Sequence, residues 1–112
     1  MKNFFNIIML TPVLLCSCGN CEQSAGTYRS IDLEVVLTEQ PTLNTELNLV
    51  GTKINSDKIS TTRIVERWYR QFIDSMSIGD TIIKKKGELT LYIHKKDTIL
   101  SFDWECEGKI YN

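Results

Sequence analysis

The sequence predicts an α+β domain, a small antiparallel β roll or open barrel with one amphipathic helix, behind a short apolar N-terminal segment. Two periodicities carry that expectation. Within residues 31–112, apolar residues alternate with polar ones toward both ends, the period of half-buried strands, and recur every three or four residues in the middle, the period of a helix with one buried face. With 112 residues, 42% hydrophobic and 24% charged, the composition suits one globular domain.

From Ile31 to Leu37, the apolar Ile31, Leu33, Val35 and Leu37 alternate with Asp32 and Glu34, so a first strand is expected there. Leu43, Leu47 and Leu49 share a face with Thr45 and predict a second strand, antiparallel to the first. Gly51 to Ser60 is polar and reads as a loop. The amphipathic helix is expected next, capped by Ser60 or Thr61. Its buried face would hold Ile64, Val65, Trp68, Tyr69, Phe72, Ile73 and Met76, and Gly79 would close it. A three-stranded meander follows: Asp80 to Lys84, then Leu89 to His94, then Leu100 to Cys106. In the last strand Leu100, Phe102, Trp104 and Cys106 face the core, opposite Ser101, Asp103 and Glu105. Gly108 to Tyr111 adds a short final strand.

The N-terminal segment has the three parts of an export signal. Lys2 supplies a basic head, Phe4 to Leu15 an apolar body interrupted by Asn6, Thr11 and Pro12, and Ser17 a small residue before a cut site. The apolar body is shorter than the roughly 20 residues that a transmembrane helix needs. The run Leu15-Cys16-Ser17-Cys18 resembles the lipobox of bacterial lipoproteins, with an aliphatic residue at −3, a small one at −1 and an acceptor cysteine; it departs from the usual pattern in having Cys16 at −2. The resemblance implies that residues 1–17 are a signal peptide and that Cys18 is the site of lipid attachment. Residues 18–30 would then be a lipid-anchored linker, and 31–112 the domain. Such a protein would sit in the bacterial cell envelope, held on the outer membrane by its acyl chains. The hairpin phrase running from Ser77-Ile78-Gly79-Asp80 through Lys84-Lys85-Lys86-Gly87 to Ile93 is similar to those of small lipoproteins from Bacteroidota-type bacteria.

Processing of that kind removes Cys16 and acylates Cys18, which leaves Cys21 and Cys106 as the two remaining thiols. In an oxidising envelope two such thiols are expected to form a disulfide. Cys18 and Cys21 also satisfy a C-x-x-C spacing. A redox or zinc site would need a following βαβ unit or a second ligand pair, and the sequence has neither.

The remaining features mostly exclude functions. Thirteen Lys and Arg against fourteen Asp and Glu give a formal charge of −1, so no overall field draws the chain to nucleic acid. His94 is the one histidine, which excludes a multi-histidine metal site and leaves a half-exposed strand residue. Lys84, Lys85, Lys86, Lys95 and Lys96 fall at the two ends of one strand and read as solvated turn lysines. Asp103 and Glu105 share a strand face, where carboxylates chiefly confer solubility. No phosphate loop, dinucleotide fingerprint, zincin motif or nucleophile elbow occurs, so no catalytic residue, metal or cofactor is expected. The function expected is a noncatalytic binding module with an envelope protein as partner. The alternative is an inhibitor or immunity protein against a toxin or cell-wall hydrolase, and an envelope enzyme ranks behind both.

Overall fold

The computed structural model describes residues 11–111, with side chains from Asn20 onward. Residues 1–10 of the expected signal peptide, and the side chain of Cys18, lie outside what is described. The architecture is α+β, an open antiparallel sheet of eight strands with one long helix. The elements are α1 (Thr11–Arg29), β1 (Leu33–Leu37), β2 (Thr42–Leu43), β3 (Leu47–Thr52), β4 (Ile59–Ile64), α2 (Arg67–Arg70), a 3₁₀ turn (Ile73–Ser75), β5 (Thr81–Lys84), β6 (Thr90–His94), β7 (Ile99–Cys106) and β8 (Lys109–Tyr111). The strand order is β2-β3-β1-β5-β6-β7-β8, with β4 on the outer side of β3. The sheet does not close into a barrel.

The long helix is not where the periodicity put it. Residues 61–76 contain the end of β4, one turn of α-helix and one 3₁₀ turn. The β-branched run Ile59-Ser60-Thr61-Thr62-Arg63-Ile64 fits a pleated surface better than a helix and pairs along its whole length with β3. At Glu66 the backbone is extended, with φ −68 and ψ 136, so no helix can pass through that residue.

The segment expected to be a linker is instead helical. Residues 22–30 show no apolar periodicity because α1 docks through a narrow stripe: Cys21 and Ala25 are buried and Tyr28 is half-buried, at steps of four and three. A disulfide from Cys21 to Cys106 fixes this stripe on β7, with 5.9 Å between the Cα atoms. Closing a loop over a separation of 85 residues stabilises the fold by about 4 kcal/mol.

The meander of β5, β6 and β7 is antiparallel as expected, pairing Ile82 with Ile93 and Leu91 with Phe102, with Ile82, Leu91 and Ile93 fully buried. Two features around it depart from expectation. Lys84 is buried rather than solvated, and its ammonium donates to the carbonyls of Ile31 and Lys85 at 2.9 Å each. Burial lowers its pKa from the ordinary lysine value. Asp80 is also buried; its carboxylate accepts from the Ser77 N–H at 2.8 Å and from Lys95 Nζ at 2.5 Å. The Gly79 N–H donates to the Leu37 carbonyl at 2.8 Å, in a turn where its φ is +95. The Gly87 N–H donates to Arg29 O at 2.7 Å. The distinctive hairpin phrase is therefore structural, fastening the meander to β1 and to the end of α1.

Candidate binding groove beside strand β7

The side of β7 facing away from β6 is partly unpaired. The Trp104 N–H donates to Leu89 O at 3.0 Å, and the β6–β7 hairpin closes with Lys95 N–H to Thr98 O at 2.8 Å. Backbone directions alternate along a strand, so Leu100 and Phe102 also point their hydrogen-bonding groups at β6. Those of Ile99, Ser101 and Asp103 point the other way. Strand β8 pairs only with Trp104 to Cys106, so among the described residues no strand meets Ser101 on that side.

A groove with a volume of ≈ 670 Å³ runs along this edge, within the size range of ligand sites. Alternate residues of β7 point to opposite sheet faces, yet Ser101 to Glu105 all line the groove, which places it along the strand's edge rather than over one face. The opposite bank comes from α2 and the residues after it, with Arg67 and Gln71 exposed. Buried or half-buried rings of Tyr28, Trp68, Phe72, Phe102 and Trp104 form the floor, and Ile110 of β8 closes one end.

The aromatic floor sets the spacing of the two banks. Phe72 stacks on Phe102 with ring centroids 4.2 Å apart, joining the α2 segment to β7. Tyr28 stands edge-on to Trp68 at 5.5 Å and tilted against Trp104 at 5.4 Å, so α1 braces the floor from below. Arg70 donates to Thr45 O at 2.7 Å and ties α2 to the β2–β3 turn. Burial raises the pKa of Tyr28, helped by the negative charge of Glu66 and opposed by a hydrogen bond from the Trp68 backbone. Burial, then Glu66, then Tyr28 push Tyr69 higher still.

Asp103 and Glu105 fall on this groove, and the Asp103 carboxylate accepts from the Thr90 hydroxyl at 3.1 Å. Both are exposed and project from one strand, two residues apart, so they occupy one bank instead of flanking a space between them. His94 lies elsewhere, edge-on to Tyr92. Cys21, Cys106 and Glu107 are close enough together to suggest a metal cluster, but both sulfurs are bonded to each other. The sequence pattern conceals the groove because the spacing of Trp68 and Phe72 matches one face of a helix. The signal available was the alternation in β7, which sends carboxylates and rings to opposite sides of one strand.

No family model, curated protein or solved structure matches this chain. Among the described residues, no helix is long and apolar enough to cross a membrane.

Proposed function

We propose that this chain is an envelope lipoprotein, anchored by lipid on Cys18, whose domain captures an extended segment of another envelope protein along β7. The observation that carries the binding role is the backbone of Ser101, which no strand meets on the side away from β6 among the described residues, inside a preformed groove. An added strand would gain main-chain hydrogen bonds there, and the aromatic floor would hold alternate side chains. Support for the address comes from the lipobox-like run and from the Cys21–Cys106 disulfide, a bond that persists in oxidising compartments. Every described docking contact of α1 begins at or after Cys21, so cleavage before Cys18 leaves them in place. The mature chain would have 95 residues (112 minus 17) and, without Lys2, twelve basic against fourteen acidic residues, a formal −2.

Asp103 in a groove also bears on the enzyme alternative. Hydrolysis by two carboxylates needs them on either side of the scissile bond, whereas Asp103 and Glu105 share a bank, which favours binding. The inhibitor alternative draws on a different feature, the β3–β4 hairpin, whose residues Lys53 to Ser60 are all exposed and whose turn includes Asn55 at φ 71.

Two measurements test the proposal. The intact mass of chain extracted from membranes of a lipoprotein-competent host is expected to equal residues 18–112 plus acyl groups; a mass retaining residues 1–17 sinks the anchor. Ser101→Pro removes an N–H that points away from β6, a substitution edge strands accept. Envelope proteins cross-linked to wild type and not to that variant support strand capture, and an identical cross-linking pattern rejects it.

A further inference from the structure

Resting on strand capture at β7, the groove also specifies the chemistry of its occupant. On the face shared by Ser101, Asp103 and Glu105 the bank carries two carboxylates, and among the described residues neither belongs to an ion pair. The far bank carries one guanidinium, Arg67. On the other face the neighbours are rings, Phe102 stacked on Phe72 with Trp68 behind. A strand laid beside Ile99 to Asp103 alternates its own side chains between these two environments, because successive residues point to opposite faces. Cross-strand neighbours of opposite charge attract and like charges repel.

We infer that the occupant is an extended segment in which Lys or Arg alternates with apolar residues, one basic side chain lying over Asp103 and within diagonal reach of Glu105, whose own cross-strand neighbour is Ile110, and the apolar ones over Phe102 and Phe72. Five occupant residues would span the edge from Ile99 to Asp103, roughly 13 Å at about 3.3 Å per residue. An acidic segment would meet two like charges on the near bank. A uniformly apolar one would bring no charge to either carboxylate, leaving Asp103 with the Thr90 hydroxyl.

The chain carries its own reporter, since its two tryptophans, Trp68 and Trp104, both line the groove. The processed chain, purified in a zwitterionic detergent with its disulfide intact, is titrated with blocked five-residue peptides while tryptophan emission is followed. One peptide alternates Lys with Leu, one Glu with Leu, and one Thr with Leu. The expected result is saturation by the Lys peptide about tenfold tighter than by the Glu peptide, from a cross-strand contact with Asp103 and a diagonal one with Glu105, each attractive for Lys and repulsive for Glu. The preference should weaken with added salt. Asp103→Asn combined with Glu105→Gln should abolish it while the chain still binds the Thr peptide. Equal binding of all three peptides overturns the charge inference and leaves strand capture standing. Loss of binding in Ser101→Pro supports capture itself. No emission change with any peptide, or full binding by Ser101→Pro, overturns both.

Discussion

The ring of Phe72 lies 4.2 Å from that of Phe102, with 21° between their planes, and this stack joins the short α2 segment to the middle of β7. It fixes the width of the groove. Phe72→Ala removes a half-buried ring and its stacking partner's contact, and is expected to cost about 2 kcal/mol. Trp68 stands edge-on to Phe72 at 6.3 Å, so tryptophan emission should shift toward longer wavelength in the same variant. Chemical denaturation followed by fluorescence reads both effects; an unchanged midpoint and spectrum would show that the stack does not set the groove.

Reduction of the Cys21–Cys106 bond is expected to lower stability by about 4 kcal/mol, the entropy of an open loop of this length. Because the described apolar docking of α1 is a narrow stripe of Cys21, Ala25 and Tyr28, with one backbone bond from Gly87 at its end, the helix should release before the sheet unfolds. Urea titration with and without reductant gives the first quantity. Hydrogen exchange resolves the second, with amides of residues 20–29 losing protection while those of β5 and β6 keep theirs.

Tyr69 is fully buried, and among the described residues its hydroxyl has no hydrogen-bond partner. Burial raises its folded pKa above the unfolded value of 10.0, so the folded state favours the protonated phenol. That contribution is complete below pH 10 and is lost as pH climbs above it. Tyr69→Phe should therefore change stability at pH 7 by no more than about 1 kcal/mol and reduce the fall above pH 10. Urea midpoints at the two pH values test this, and absorbance at 295 nm in the wild type should show a tyrosine that ionises only with unfolding.

Gly51→Ala should prevent β1 from joining β3. A methyl group there would sit 2.0 Å from the Val36 carbonyl oxygen and 2.8 Å from the Val35 side chain. The two strands meet over a short stretch, Val36 with Thr52 and Leu37 with Gly51, continued by the Thr38 N–H to Val50 O at 2.9 Å, and Gly51 sits in its middle. A loss of about 3 kcal/mol or more is expected, visible as a lowered melting temperature or an insoluble product.

How much of this was legible in the sequence differs from strand to strand. β1 and the β5–β6–β7 meander could be read because each has one buried face, and the alternation of Leu33, Val35 and Leu37 or of Leu100, Phe102 and Trp104 records that directly. The strand expected over residues 43–49 is two strands, β2 and β3, folded on each other at Asn44 to Glu46, a turn that alternation passes over. The helix expected over residues 61–76 failed because Ile64, Trp68 and Phe72 reach the core from three different local structures, and their spacing matched a helix by coincidence of position. The real helix was hidden by its narrow docking stripe. Of the groove, the two carboxylates and the strand direction were visible, but its second bank depended on the extended residue at Glu66.

The burial of Lys84 is hidden in the sequence for a related reason. A lysine beside two others in a turn looks solvated, and only the fold shows that its stem lies in the core while its ammonium reaches two carbonyls.

The sulfur bridge between α1 and β7 also determines how the molecule bears load. A pull applied at the two chain ends enters through α1, crosses from Cys21 to Cys106, and leaves by the last few residues. The sheet between those cysteines lies outside the line of force. Stretched in the oxidised state, the domain would keep hidden the chain between the cysteines, about 290 Å at roughly 3.4 Å per residue over a separation of 85 residues. Reduction would place that whole length in series, turning a short stiff tether into a long extensible one.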